Sequence, residues 1–156
     1  MGMTTETTLL PPAFVASEPW NDRRIRALAM YCSDGRWGDA FDEFCHCRLH
    51  IPRYDRFAVP GGCACLAESN HDADEPWEHL SLLVKAHELQ RIVLISHFGC
   101  AHYMHRFGQD ANACLPRQVE DLEWAEELVR TRFPQVCVES FVAMREAERI
   151  SFHRVV

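Results

Sequence analysis

The chain has 156 residues, 47% of them hydrophobic, and a formal net charge of −7 with histidine neutral. That is enough apolar material for one core, and the 16 Lys and Arg residues are scattered rather than gathered into the basic stripe of a nucleic-acid binder. No apolar run approaches the roughly 20 residues of a bilayer span, so neither nucleic acid nor membrane is an expected partner.

In chain order, residues 1–22 are rich in Thr, Pro and small residues without periodicity, and read as an N-terminal arm ahead of a single α/β domain over 23–156. The first twenty residues lack a basic stretch followed by a continuous apolar core, and Glu6 stands where a myristoylation signal wants Ser or Thr. A cytoplasmic protein with its eight cysteines reduced is the expectation.

The apolar run 25–31 predicts a buried strand that delivers Cys32-Ser33-Asp34-Gly35-Arg36. A helix then opens at Gly38, with Phe41, Phe44, Cys45 and Leu49 on one face. A second strand over 54–59 stops at Pro60-Gly61-Gly62, a breaker suited to close approach of backbone. After a polar loop over 68–75, Pro76 suits the first turn of a helix marked by Trp77, Leu80, Leu83, Val84 and His87.

Residues 91–96 hold Ile92-Val93-Leu94-Ile95, the continuous run of a strand covered on both faces, and deliver His97-Phe98-Gly99-Cys100. A polar turn over 108–116 precedes a helix marked by Val119, Leu122, Ala125, Leu128 and Val129, which Pro134 ends. Residues 136–144 and 150–155 are two more strands around the charged turn Arg145-Glu146-Ala147-Glu148, close enough to be antiparallel. The alternation predicts an α/β fold, with a mostly parallel central sheet flanked by helices and an antiparallel C-terminal edge strand.

The two delivered clusters carry the chemistry. Cys32, His97 and Cys100 supply two thiolates and an imidazole, a ligand set suited to tetrahedral Zn²⁺ with a fourth position for Asp34 or water. Asp34, two residues beyond Cys32, can bind the metal in a closed state or accept a hydrogen bond from metal-bound hydroxide. Arg36 can grip that carboxylate with two N–H groups and hold it off the metal.

The pattern C-x-D-x-R after a first strand, then H-x-x-C after a later one, resembles the β-class carbonic anhydrases, and the order of elements matches from about Arg24 onward. The resemblance implies a zinc lyase that reversibly hydrates carbon dioxide to bicarbonate by metal-bound hydroxide. It further implies Asp34 and Arg36 as gate and orienting pair, and a homodimer or higher homo-oligomer with pockets at subunit interfaces. The chain departs from the family pattern at Ala101, where members commonly carry Gly. It departs again at Ala58-Val59-Pro60-Gly61-Gly62, where a polar Arg-Asn-Ala-Gly-like run is usual. Two rivals follow: a catalytically silent zinc-binding protein of the same fold, and a hydrolase of carbonyl sulfide or carbon disulfide.

Other side chains have plainer readings beside their chemical ones. His102 and His105 could carry protons away, or lie at i, i+3 on a helix surface. Cys45, Cys47, His46 and His50 look metallic, but consecutive helical residues point about 100° apart and cannot share an ion, so Cys45 belongs to the core stripe. Cys63 and Cys65, if extended, would put both thiols on one face as a redox pair or a second metal site, against small buried cysteines beside a Gly-Gly turn. Cys114 and Cys137 carry no role, and His87 is a packed histidine on its helix stripe.

Overall fold

The computed structural model describes residues 9–69 and 74–155, so the first eight residues of the expected arm and part of the polar 68–75 segment lie outside the described residues. Five strands form one sheet in the order β2-β1-β3-β4-β5. They are β1 (Ala27–Cys32), β2 (Asp55–Val59), β3 (Arg91–His97), β4 (Cys137–Glu146) and β5 (Arg149–Arg154). The first four run parallel and β5 returns antiparallel to β4, as the alternation of elements leads one to expect.

All six residues of β1 and the last six of β3 are buried, because helices cover both faces of the sheet centre. Alternate residues go to opposite cores. Leu28, Met30, Ile92 and Leu94 pack beneath α3 (Glu75–Ala86) and α5 (Ala111–Arg132). Ala29, Tyr31, Val93 and Ile95 pack on Trp37, Phe41 and Phe44 of α1 (Gly38–Glu43) and its surroundings. Each fully buried Leu or Ile contributes about 1.5–3 kcal/mol, so the two layers over β1 and β3 fix the sheet centre firmly.

Three local features differ from the periodicity. The helix after Cys32 is α-helical only to Glu43 and continues as one π-helical turn over Phe44–Arg48. The polar stretch 108–116 is mostly helix: Asp110 Oδ1 accepts from the Ala113 amide at 2.9 Å, so α5 starts at Ala111 and carries Pro116 inside it. That proline sacrifices one N–H bond early in a 22-residue helix, which the remaining turns tolerate. His87 caps α3 at a partly exposed position, with Nδ1 2.6 Å from Asp55 Oδ2 of β2, rather than packing in the core.

Cys63 precedes the short α2 (Ala64–Ala67), so Cys63 and Cys65 are not extended and do not share a face as a strand pair would. Cys45 is fully buried while His46, Cys47 and His50 are exposed, in line with core packing for Cys45 alone. Among the described residues no helix is long and apolar enough to cross a membrane.

Candidate metal centre

The chain turns from β1 outward to β2 on one side and then to β3 on the other, which makes the β1/β3 boundary a switch point with a crevice at the strands' carboxyl ends. Both chemical clusters end there. Cys32 closes β1, His97 closes β3, and Cys100 begins α4 (Ala101–Phe107) at its N-cap. Their three donor atoms lie within 4.8 Å of one another, with the two sulfurs 3.8 Å apart.

The polar groups around these side chains suit a metal ion. His97 Nδ1 lies 3.0 Å from the Phe98 carbonyl and donates to it, which leaves Nε2 as the lone-pair nitrogen. Nε2 is buried and has no hydrogen-bond partner among the described residues. A buried nitrogen of this kind costs on the order of 1–3 kcal/mol unless something binds it, and a cation held with the two neighbouring sulfurs would. Cys32 is also prepared for the anionic form. The Cys100 thiol beside it lowers its pKa most, and His97 with the amides of Asp34 and Gly61 lowers it further against the cost of burial. Cys100 is pushed up in turn because Cys32 takes the charge, although the amides of His102 and Tyr103 face its sulfur. Two thiolates and one neutral imidazole match the formal charge and ligand preference of Zn²⁺.

Backbone geometry seats this centre. Gly62 has φ +56°, and a Cβ there would lie 3.0 Å from the Cys32 amide nitrogen and from the Tyr31 carbonyl carbon. Gly61, with φ +79°, faces the His102 ring, which a Cβ would meet at 2.6 Å. The Pro60-Gly61-Gly62 breaker therefore lets one loop press flat against the end of β1. Its tight partners are Cys32 and His102.

Asp34 and Arg36 meet each other rather than the converging donor atoms. Arg36 Nε lies 3.0 Å from Asp34 Oδ1 and Nη2 lies 2.6 Å from Oδ2, while the Arg36 amide reaches Oδ1 at 3.1 Å. This grip holds the Asp34 carboxyl at about 2, well below the usual carboxylate range. His102 packs against Gly61 with its Nε2 3.7 Å from Glu68 Oε1, and His105 is exposed.

Two residues that support the centre carry no signal in the sequence. Gln118 is 1% exposed, and its amide donates to the His97 carbonyl at 2.8 Å and to the Ser96 hydroxyl at 3.2 Å. Trp37 lies with its ring centroid 4.7 Å from that of His97. The i, i+3, i+4 pattern places Gln118 beside the α5 stripe residues Leu122 and Ala125, but only the packing of α5 against the end of β3 reveals its partner.

No protein-family model and no curated protein sequence matches the chain. Solved structures do. A β-carbonic anhydrase isoform from the protozoan Trichomonas vaginalis superimposes with a TM-score of 0.56 at 10% identity, covering 86% of each chain. A β-carbonic anhydrase of the fungus Aspergillus fumigatus gives 0.54 at 11% identity over 90% of this chain and 95% of the other. One of two tetrameric β-carbonic anhydrases from Sordaria macrospora gives 0.53 at 12% identity, over 83% and 80%. The chain thus has the fold of the β-carbonic anhydrases.

Proposed function

We propose that this protein is a zinc lyase that interconverts carbon dioxide and bicarbonate, with Cys32, His97 and Cys100 as its metal ligands and Asp34 and Arg36 as its orienting pair. The observation that carries this reading is the orphaned, buried His97 Nε2 beside two convergent sulfurs, at the switch point of a β-carbonic anhydrase fold. When bound, zinc supplies the Lewis acidity that makes water a nucleophile near neutral pH.

The protein's own groups would do the rest. Asp34, held charged by Arg36, is an acceptor only, so it takes a hydrogen bond from the attacking water or from the bicarbonate hydroxyl and aims the nucleophile's lone pair. To reach the metal itself Asp34 must give up its Arg36 side-chain contacts, which is the gate between an open and a closed site. Gln118 anchors the His97 backbone carbonyl, while the Phe98 carbonyl and the Trp37 ring hold the His97 ring in position. His102, on the α4 turn that follows Cys100, is the candidate to pass a proton towards solvent. A homo-oligomer fits the assembly of the Sordaria macrospora relatives in fold, and eight free cysteines fit a reducing compartment.

Stopped-flow hydration of carbon dioxide by the zinc-loaded chain tests the reading, with Arg36→Ala as the variant expected to lose most of the rate. Absence of turnover between about pH 6.5 and 9 with zinc fully bound rejects it. The apolar walls Trp37, Phe98 and Met104 near the centre favour one second reading, hydrolysis of carbonyl sulfide or carbon disulfide. Supplying those gases to the same preparation decides between them.

A further inference from the structure

A pocket of about 260 Å³ lies beside the metal centre, walled by Phe98 and Gly99 from between the ligands His97 and Cys100 and by Arg36 and Trp37 from just beyond Cys32. Its far wall is Arg145 and Ile150 of the β4–β5 hairpin. The register explains why. His97 pairs with Ala143 across the parallel β3/β4 ladder, and Arg145 lies two residues further on the same strand face, directly opposite Ile150 in the antiparallel pair. Glu146, the next residue, points to the other face.

The charge in this pocket is one-sided. No carboxylate lines it, and Arg36 is already matched by Asp34. Arg145 has no ion-pair partner among the described residues. Two larger cavities elsewhere differ, one with Glu43 and Glu148 beside Arg48 and another with Arg91 and Arg154 paired to Glu139, while a third, without a carboxylate, has its Arg56 paired to Asp42. A guanidinium with free donors, facing a partly apolar pocket with no acid of its own, is suited to a small planar oxyanion.

We propose that Arg145 is a specificity-determining residue that gives this pocket affinity for a carboxylate-type anion, with bicarbonate as the ligand. The assignment rests on the hydration reading above for the identity of the anion. Arg145 then holds product bicarbonate, or collects it as substrate for the reverse reaction, on the side of the centre opposite the Gly61-Gly62 loop. Arg36 remains occupied with Asp34 and contributes background charge. Because Arg145 is exposed, the effect is moderate and weakens with salt.

The test is the bicarbonate dissociation constant of the zinc-loaded full chain, measured by titration calorimetry at about pH 8 and low ionic strength. Arg145→Gln is expected to weaken binding about fivefold and Arg145→Lys about twofold, while Arg149→Gln, on the same hairpin but outside the pocket, leaves it unchanged. Wild-type affinity in Arg145→Gln overturns the proposal, as does an equal loss in Arg149→Gln, which would show a general charge effect. Failure of the two readings is separable. Arg145-dependent bicarbonate binding without turnover rejects hydration and keeps this site, whereas normal turnover with Arg145-independent binding rejects this site alone.

Discussion

Two pairs of cysteines lie close together around the Gly61-Gly62 loop, and their surroundings push them in opposite directions. Cys32 and Cys63 are both buried, one pressed against Gly62 through its backbone and the other following Gly62 in the chain. Cys32 faces a second thiol, an imidazole and two amide N–H groups, which together hold its thiol well below the ordinary range. Cys63 is raised by burial with little to offset it, and burial pushes its neighbour Cys65 up to about 11. Burial alone makes a thiol an inert apolar side chain. Burial with converging donors makes it a ligand. The first pair is thus the one that could hold a metal ion, and thiol redox chemistry at the second pair is disfavoured.

The sharpest way to break this contrast is to remove one sulfur from each pair. Cys32→Ser is expected to drop bound zinc from about one per chain to below about 0.1, read by elemental analysis after dialysis, while Cys65→Ser retains it. Equal zinc in both variants would place the metal elsewhere. A smaller effect is expected from Gln118→Leu, which frees the His97 carbonyl and should weaken zinc affinity about tenfold in a chelator competition. Unchanged affinity would make Gln118 a packing residue only.

Gly62→Ala probes the loop that joins the two pairs. Its new Cβ meets the Cys32 backbone at 3.0 Å in a left-handed conformation, so a loss of about 1–3 kcal/mol is expected in urea denaturation. A loss under about 0.5 kcal/mol would mean that the loop relaxes freely. The mildest test concerns Asp34. Its folded carboxyl lies below its ordinary 3.8, so the Arg36 pair contributes stability above that value and loses it only as pH falls through about 2. Carboxyl-carbon NMR should therefore show no Asp34 titration from pH 8 to about 4, and in Arg36→Ala the midpoint should return towards 3.8. A midpoint still near 2 without Arg36 would assign the shift to another group.

Much of this was legible in the sequence because strands leave strong marks. The unbroken apolar runs before Cys32 and His97 required a doubly covered sheet, and residues that end adjacent parallel strands must meet at one edge. What was hidden depends on contacts between elements distant in the chain. Pro116 marked a turn by propensity, yet the Asp110 cap starts the helix five residues earlier and carries it past the proline. His87 fitted a helical stripe, but the stripe ends there and Asp55 draws it to the surface. Trp37, Gln118 and Arg145 have no motif. Their meaning lies in what β3 and the hairpin bring next to them.

The last strand carries a consequence of its own. Five of the six residues of β5 are outside the core, and Phe152, stacked at 4.1 Å on Phe44, is its main anchor to the layer beneath. The outer backbone of β5 forms one margin of the sheet, with N–H and C=O groups that another extended segment could pair with. Arg149, His153 and Arg154 stand along that margin, so the strand that walls the pocket also repels unwanted growth of the sheet. Neutral substitutions there would show first as aggregation, with the metal centre still whole.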